Sequence, residues 1–267
     1  MKVTNSAGQP IDNVLVKISR DVGLRRDGTA YTSSGSEDDI TLSAIQPSDM
    51  ATFVMNAPGN FLYLKTNEQG QATFTVSQNA TVGLKTMLSA TLMDDETRTV
   101  SRDAIFTVLT SPDSDKATMW GHMPETVTNS AGVKLRRPLL YSEMSGGASG
   151  SFKANNETWP LVSKTSTQKT GVTGCDEAYQ PLLNDLQTLY ADHPGGALET
   201  LFGWPATLGK YWWALDRVVK TGDYQLMRLD NGATITTSSA STTGGQVCLV
   251  DPHAPLSAKA HQAHRLQ

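Results

Sequence analysis

The sequence predicts an all-β sandwich followed by a mixed segment of helices and strands. Three observations carry this. Short runs with period-2 apolar alternation, separated by turn residues, recur at fairly even spacing over about the first 110 residues. Every tryptophan lies later, at Trp120, Trp159, Trp204, Trp212 and Trp213. Leu182, Leu183, Leu186, Leu189 and Tyr190 then recur at helical spacing.

A chain of 267 residues has room for roughly two domains. Charged residues make up 18%, and Ser, Thr, Gly and Asn are plentiful, a mix that favours strands and turns. The net charge of -4 and pI near 5.7 supply no basic field for nucleic acid or anionic lipid. No apolar run reaches the ~18 residues that a membrane helix needs. Met1-Lys2-Val3-Thr4-Asn5 lacks the apolar core of a signal peptide and starts abruptly in strand-and-turn sequence. The expectation is a piece excised from a longer chain, with Met1 added.

In the first segment, Gly8-Gln9-Pro10-Ile11-Asp12-Asn13 reads as a turn, and Val14, Val16 and Ile18 share one strand face. Further strands are expected at Ala51–Val54, Phe61–Leu64, Ala72–Val76, Lys85–Leu92 and Ala104–Leu109. Ser33 to Asp39 reads as a long loop. Asn67-Glu68-Gln69-Gly70 is a turn signal. Val3-Thr4-Asn5-Ser6-Ala7-Gly8 recurs as Val127-Thr128-Asn129-Ser130-Ala131-Gly132, which reads as one turn solution used twice.

Pro and Asp cluster at Ser111-Pro112-Asp113-Ser114-Asp115, and composition shifts afterwards. The expected domains are 1–112, 113–252 and a disordered tail, 253–267. In the second, Gly146 to Ser151 reads as a flexible loop. Pro181 belongs in the first turn of a helix that His193-Pro194-Gly195-Gly196 stops. A short helix is expected at Ala197–Phe202, ended by Gly203 and Pro205. Strands follow at Tyr211–Leu215, Tyr224–Leu229, Ala233–Thr236 and Gln246–Val250, with Asp230-Asn231-Gly232 a tight hairpin turn.

Motifs for catalysis are weak. Ser166-x-x-Lys169 with Lys169-Thr170-Gly171 and Lys220-Thr221-Gly222 is similar to the penicillin-recognising serine enzymes, but Ser-Asp-Asn is absent and Ser166 sits in a polar stretch. No His-Glu-x-x-His, Walker loop or Gly-x-Ser-x-Gly occurs. Glu37-Asp38-Asp39 and Asp94-Asp95-Glu96 read as exposed acidic turns without EF-hand spacing, and His261 and His264 as part of a solvated tail. The reading is a non-enzyme with no cofactor and no metal. Two cysteines, Cys175 and Cys248, allow one intrachain pair; a disulfide or two buried thiols both fit the count.

Gly8-x-Pro10-x-x-Asn13-Val14-x-Val16, the Thr66 to Ala72 turn and Ala104-Ile105-Phe106-Thr107-Val108 resemble the bacterial Ig-like repeats of the intimin/invasin adhesins. The order of the second segment is cysteine, two helices, then strands with a cysteine in the last. It resembles a C-type-lectin-like domain. Trp120-Gly121-His122-Met123, Arg137-Pro138-Leu139-Leu140 and Gly203-Trp204-Pro205 resemble the terminal module of enterobacterial surface proteins built from such repeats. The resemblance covers nearly the whole chain up to about Pro252. It implies an all-β Ig-like sandwich followed by an α+β C-type-lectin-like domain, and a Cys175–Cys248 disulfide. It also implies a passenger of the inverse autotransporter kind, held on the bacterial outer membrane by an upstream anchor.

The function so implied is virulence-type cell adhesion by a monomeric tip. Its partner is a host or neighbouring-cell surface protein or glycoprotein receptor. A structural or self-association module promoting aggregation or biofilm is the alternative. The Glu-Pro-Asn, Gln-Pro-Asp and Trp-Asn-Asp motifs that hold calcium in sugar-binding C-type lectins are missing between Trp204 and Cys248, so protein recognition is favoured. Adjacent strand residues point to opposite faces, so one of Trp212 and Trp213 is expected in the core and the other more exposed as a binding anchor, unless both pack, against a helix and a loop. Trp213, Asp216, Arg217, Lys220, Tyr224 and Arg228 are the expected ligand contacts.

Overall fold

The computed structural model describes residues 1–32, 40–44, 61–78, 82–163, 179–218, 223–239 and 241–250. The Ala51–Val54 strand, the Ser33–Asp39 loop, the Ser166-x-x-Lys169 motif and the tail expected at 253–267 lie outside these residues. The chain divides into two compact units, 1–107 and 108–267.

Unit 1 is built from β1 (Leu15–Arg20), β2 (Ile40–Ala44), β3 (Phe61–Lys65), β4 (Phe74–Gln78), β5 (Leu84–Leu92) and β6 (Thr99–Phe106). One antiparallel sheet has the order β3-β1-β5-β6; β2 and β4 form a second. Strict alternation along β1 buries Val16, Ile18 and Arg20 and leaves the residues between half-buried. Val16, Ile18, Leu62 and Leu64 pack with Leu42 and Phe74 from the other sheet, so two sheets share one core.

Polar turns set where these strands begin. Asn67 Oδ1 accepts from the N–H of Gln69 (3.1 Å) and Gln71 (2.9 Å), and Gly70 adopts φ 69°. Asn5 does the same for Ala7 and Gln9, and Asn129 for Ala131 and Val133, with Gly8 at 78° and Gly132 at 80°. The recurrence seen in sequence is one Asn-capped turn with a left-handed glycine, used three times. The Asn67 turn delays β4: Gln71 is still in the turn and Ala72 bonds to Met1, so the strand starts at Phe74.

The run expected as one strand at Ala104–Leu109 is two. β6 ends at Phe106, and β7 (Val108–Pro112) pairs in parallel with β8 (Gly121–Met123). The two compact units divide within this run, at 107/108, a few residues before the expected 112/113.

Unit 2 continues with β9 (Thr126–Thr128), β10 (Lys134–Arg136), a 3-10 turn (Tyr141–Glu143), β11 (Ala148–Ala154) and β12 (Glu157–Ser163). Then come α1 (Leu183–Asp192), α2 (Ala197–Phe202), β13 (Tyr211–Val218), β14 (Asp223–Arg228), β15 (Thr234–Thr237) and β16 (Thr243–Gly244). The sheets are β11-β12-β16, β13-β14-β15, β9-β10 and β7-β8. The expected flexible loop is partly strand, since β11 begins at Ala148 and accommodates Gly150 with a register shift.

Helix α1 forms where the leucine spacing predicts. Asp185 Oδ2 accepts from Leu182 N–H at 2.9 Å, closing the first turn after Pro181. Leu186, Leu189 and, from α2, Leu198 are fully buried beside Trp159, Trp204, Trp212 and Leu135 in one large core. The expected strand at Gln246–Val250 is a correction: the last strand is the short β16. Beyond it Leu249 makes an isolated bridge to Leu135, and Arg136 N–H donates to Cys248 O at 2.7 Å. Val247, Cys248 and Leu249 are all buried, so this stretch is covered on both sides and does not alternate.

Three features lock unit 2. Glu157, 2% exposed, accepts from Ser111 Oγ (2.8 Å), Thr118 N–H (2.9 Å) and Met119 N–H (2.9 Å). Arg137 forks onto Glu143 with two 2.8 Å bonds and donates to Glu125 at 2.9 Å. Gly203 holds φ 75°, and a Cβ there would lie 2.0 Å from Leu109 O. The glycine of Gly-Trp-Pro thus lets α2 end against β7.

Gly203→Ala is expected to destabilise the chain by about 2–4 kcal/mol, combining left-handed strain with the clash; chemical denaturation measures it. Burial pushes the Glu143 carboxyl up. The Arg137 hydrogen bonds, Leu140 N–H and Ser114 outweigh burial and bring it down from 4.5 to about 2. Its contribution, about 1–2 kcal/mol after solvent screening, is complete above pH 4.5 and is lost as pH falls toward 2. Acid titration of stability should therefore be shallower in Glu143→Gln over that window.

Candidate binding face

Five of the six expected contacts, Trp213, Asp216, Arg217, Tyr224 and Arg228, lie on β13 and β14, which pair as an antiparallel hairpin. Its register pairs Tyr211 with Arg228, Trp213 with Leu226, Arg217 with Tyr224 and Val218 with Asp223, with an irregularity between Trp213 and Arg217. The last described pair, Val218 with Asp223, brings the two strands together at that end of the hairpin. Lys220 lies outside the described residues. Asp216 and Arg217 are placed by their backbone near the end of β13.

The opposite-face argument for the paired tryptophans holds, but neither is exposed. Trp212 and Trp213 are each 1% exposed. Trp212 enters the large core with Leu186, Ala214 and Met227. Trp213 enters a smaller cluster with Val162, Tyr224 and Leu226, flanked by Met144, Tyr211 and Ile235. Its indole N–H donates to Val162 O at 2.9 Å, and its ring meets Tyr224 edge-on at 6.1 Å. Trp213 and Tyr224, 2% exposed, are thus inside. They fasten the hairpin to β12 and offer no surface. Of the two readings of the pair, the one in which both tryptophans are packed is the one seen, because β13 is covered on both faces.

Arg228 pairs with Tyr211, at the end of the hairpin opposite Val218 and Asp223. Its guanidinium grips Asp230, with Nε to Oδ1 at 2.9 Å and a second bond from Nη2 to Oδ2. That pairing holds it even more firmly protonated than a free arginine. Gly209 lies against it: a Cβ there would meet Nη2 at 3.2 Å. Beside it, Lys210 Nζ sits 5.5 Å from the centre of the Phe152 ring. Leu208 in the same loop is 46% exposed. The sequence reading missed this Leu208–Lys210 loop. Its signal was an apolar residue between Thr207 and Gly209, which is weak in isolation.

The opposite side of the hairpin is tied to α1. A Cβ at Gly232, in the β14–β15 turn, would meet the Tyr190 ring at 2.7 Å, so glycine alone lets the turn close on the helix. Asp192 Oδ2 accepts from Ser130 N–H at 2.6 Å, binding the end of α1 to the Asn129 turn; this backbone bond, with Ser130's side chain, lowers the Asp192 carboxyl.

Cys248 is buried and disulfide-bonded; Cys175 lies outside the described residues. Among the described residues no group of three or more His, Cys, Asp or Glu could hold a metal ion. In the Asp94–Glu96 turn, Asp95 accepts from the Thr97 hydroxyl at 2.5 Å and pairs with Arg98 at 3.0 Å. Among the described residues no helix is long and apolar enough to cross a membrane.

Two family models match. One, described as an adhesion domain of the InvE type, matches residues 112–249, more than half of the 267. The other, bacterial immunoglobulin-like 21, matches residues 1–109. A solved structure of the Yersinia pseudotuberculosis adhesin InvE is similar, with 24% identity and a TM-score of 0.68 over 90% of this chain. This chain spans 61% of the length of that one. No curated protein sequence matches. With a bacterial immunoglobulin-like domain followed by a matching adhesion domain, the chain belongs to the InvE-type adhesion-domain family of invasin/intimin-like adhesins.

Proposed function

We propose that the chain is the adhesive tip of a bacterial surface protein, displayed outside the outer membrane. In this reading unit 1 is an Ig-like sandwich that carries unit 2, a C-type-lectin-like head. The head recognises a host or neighbouring-cell surface protein or glycoprotein without covalent chemistry. The observation that carries the reading is the adhesion-domain match over residues 112–249.

The recognition surface is the end of the β13–β14 hairpin where Val218 pairs with Asp223, with Asp216 and Arg217 and, by its place in the sequence, Lys220. The Arg228–Asp230 pair and the Leu208–Lys210 loop form a second edge of the same hairpin. Trp213 and Tyr224 act from beneath by fixing its orientation. Burying the base of a hairpin on both faces spares much of the ordering cost that a free loop pays on binding. A Cys175–Cys248 disulfide closes unit 2; Cys248 is already disulfide-bonded and the sequence holds one other cysteine. Its loop of about 74 residues is worth on the order of 4 kcal/mol.

The full chain is expected to bind host-cell surfaces equally with and without chelator. Replacing Asp216, Arg217 and Lys220 together by alanine should weaken binding about tenfold or more while leaving Tm unchanged. Undiminished binding by that variant would reject the hairpin tip. Peptide mapping without reductant should recover Cys175 linked to Cys248; recovery of both as free thiols would remove the staple from the account.

A further inference from the structure

In unit 1 the inner face of the four-stranded sheet is buried at Val16 and Ile18 of β1 and Leu62 and Leu64 of β3, half-buried at Leu88, Ala90 and Leu92 of β5, and exposed at Val100 and Arg102 of β6. The register sets Leu88 opposite Arg102 and Ala90 opposite Val100, so all four share one face. Val100 is nevertheless 63% exposed. A groove of about 620 Å3 lies there, between β6 and the N-terminal segment Met1–Thr4. Leu88, Ala90 and Leu92 line it from β5, Val100 from β6, and Val3 and Phe74 from the other layer.

The charged residues among the described lining are Lys2, Arg98 and Arg102, all cations. Asp95 engages Arg98 at 3.0 Å. Among the described residues, the side chains of Lys2 and Arg102 have no carboxylate partner. Asp103 points to the other face and pairs with Lys85 at 3.5 Å. β6 is also the outermost strand of its sheet, so one row of its backbone N–H and C=O groups faces no described strand.

We propose that this groove docks an extended strand of a partner polypeptide, apolar at alternate positions and bearing a carboxylate. A free strand edge is completed by another strand, whose alternate side chains reach one face. That face here is an apolar floor, and the unpaired cations at its rim call for an anion. A second copy of the chain fits poorly. Two-fold pairing of β6 along its whole length centres on Arg102 or Asp103 and sets like charges opposite each other, which destabilises a sheet. A small anion would satisfy the cations and leave the apolar floor uncovered. The proposal is independent of the recognition assigned to unit 2.

The test titrates the full chain with a short synthetic peptide that alternates valine and threonine around a central glutamate, and with its lysine counterpart. Amide exchange in Thr99–Phe106 is followed throughout. The glutamate peptide should bind about tenfold more tightly than the lysine peptide and slow exchange in β6. Arg102→Glu should invert the preference. Val100→Asp, at an exposed position, should abolish binding with Tm unchanged. Equal binding of the two peptides, or no binding, would overturn the proposal. So would slow β6 exchange in the free chain, meaning the edge is already covered, or a concentration-dependent dimer that Val100→Asp disperses.

Discussion

Unit 2 depends on one constraint: two adjacent tryptophans in a strand must point to opposite faces, and both are buried. Trp212 and Trp213, each 1% exposed, require apolar cover on both sides of β13. The helices supply it on one side through Leu186, Leu189 and Leu198; β12 and its neighbours supply it on the other through Val162. Fully burying an aromatic side chain is worth about 3 kcal/mol before packing terms. The pair thus fixes where the helices and the β11–β12 sheet lie. Among the described residues the Trp212 indole N–H finds no acceptor, a loss of about 1–3 kcal/mol that the packing has to outweigh.

Around that centre, buried polar groups act as latches. Glu157, Asp185, Arg137 and Asn129 are each at most 5% exposed, and each is hydrogen-bonded to backbone or an opposite charge. Such groups stabilise little when satisfied and cost several kcal/mol when orphaned, so they select one arrangement over its near neighbours. Glu157 anchors the start of unit 2, Asp185 starts α1, and Arg137 holds the 3-10 turn.

Local signals were legible where local chemistry decides. The 3.6 periodicity from Leu182, stopped by His193-Pro194-Gly195-Gly196, placed α1, and Gly203 ended α2 where expected. The Asn-Gly turns were readable because a side-chain oxygen and a left-handed glycine act within five residues. What stayed hidden depends on distant partners. Trp213 is a candidate surface anchor until Val162 and Tyr224 are brought to it, and Gln246–Val250 reads as a strand until its described pairing with β10 proves to be a single bridge, Leu249 with Leu135. The division at 107/108 depends on β8, whose pairing with β7 no local pattern announces. Of the six candidate contacts, the sequence located the hairpin but not which side chains it buries.

The central claim is that β13 and β14 form a rigid base held by cores on both faces. Native-state hydrogen exchange of the full chain tests it most directly. The account predicts that the amides of Trp213 and Leu226, and the Trp213 indole N–H, exchange only through global unfolding of unit 2, with a denaturant dependence to match. Exchange through small local openings, insensitive to denaturant and well before the α1 amides, would contradict it.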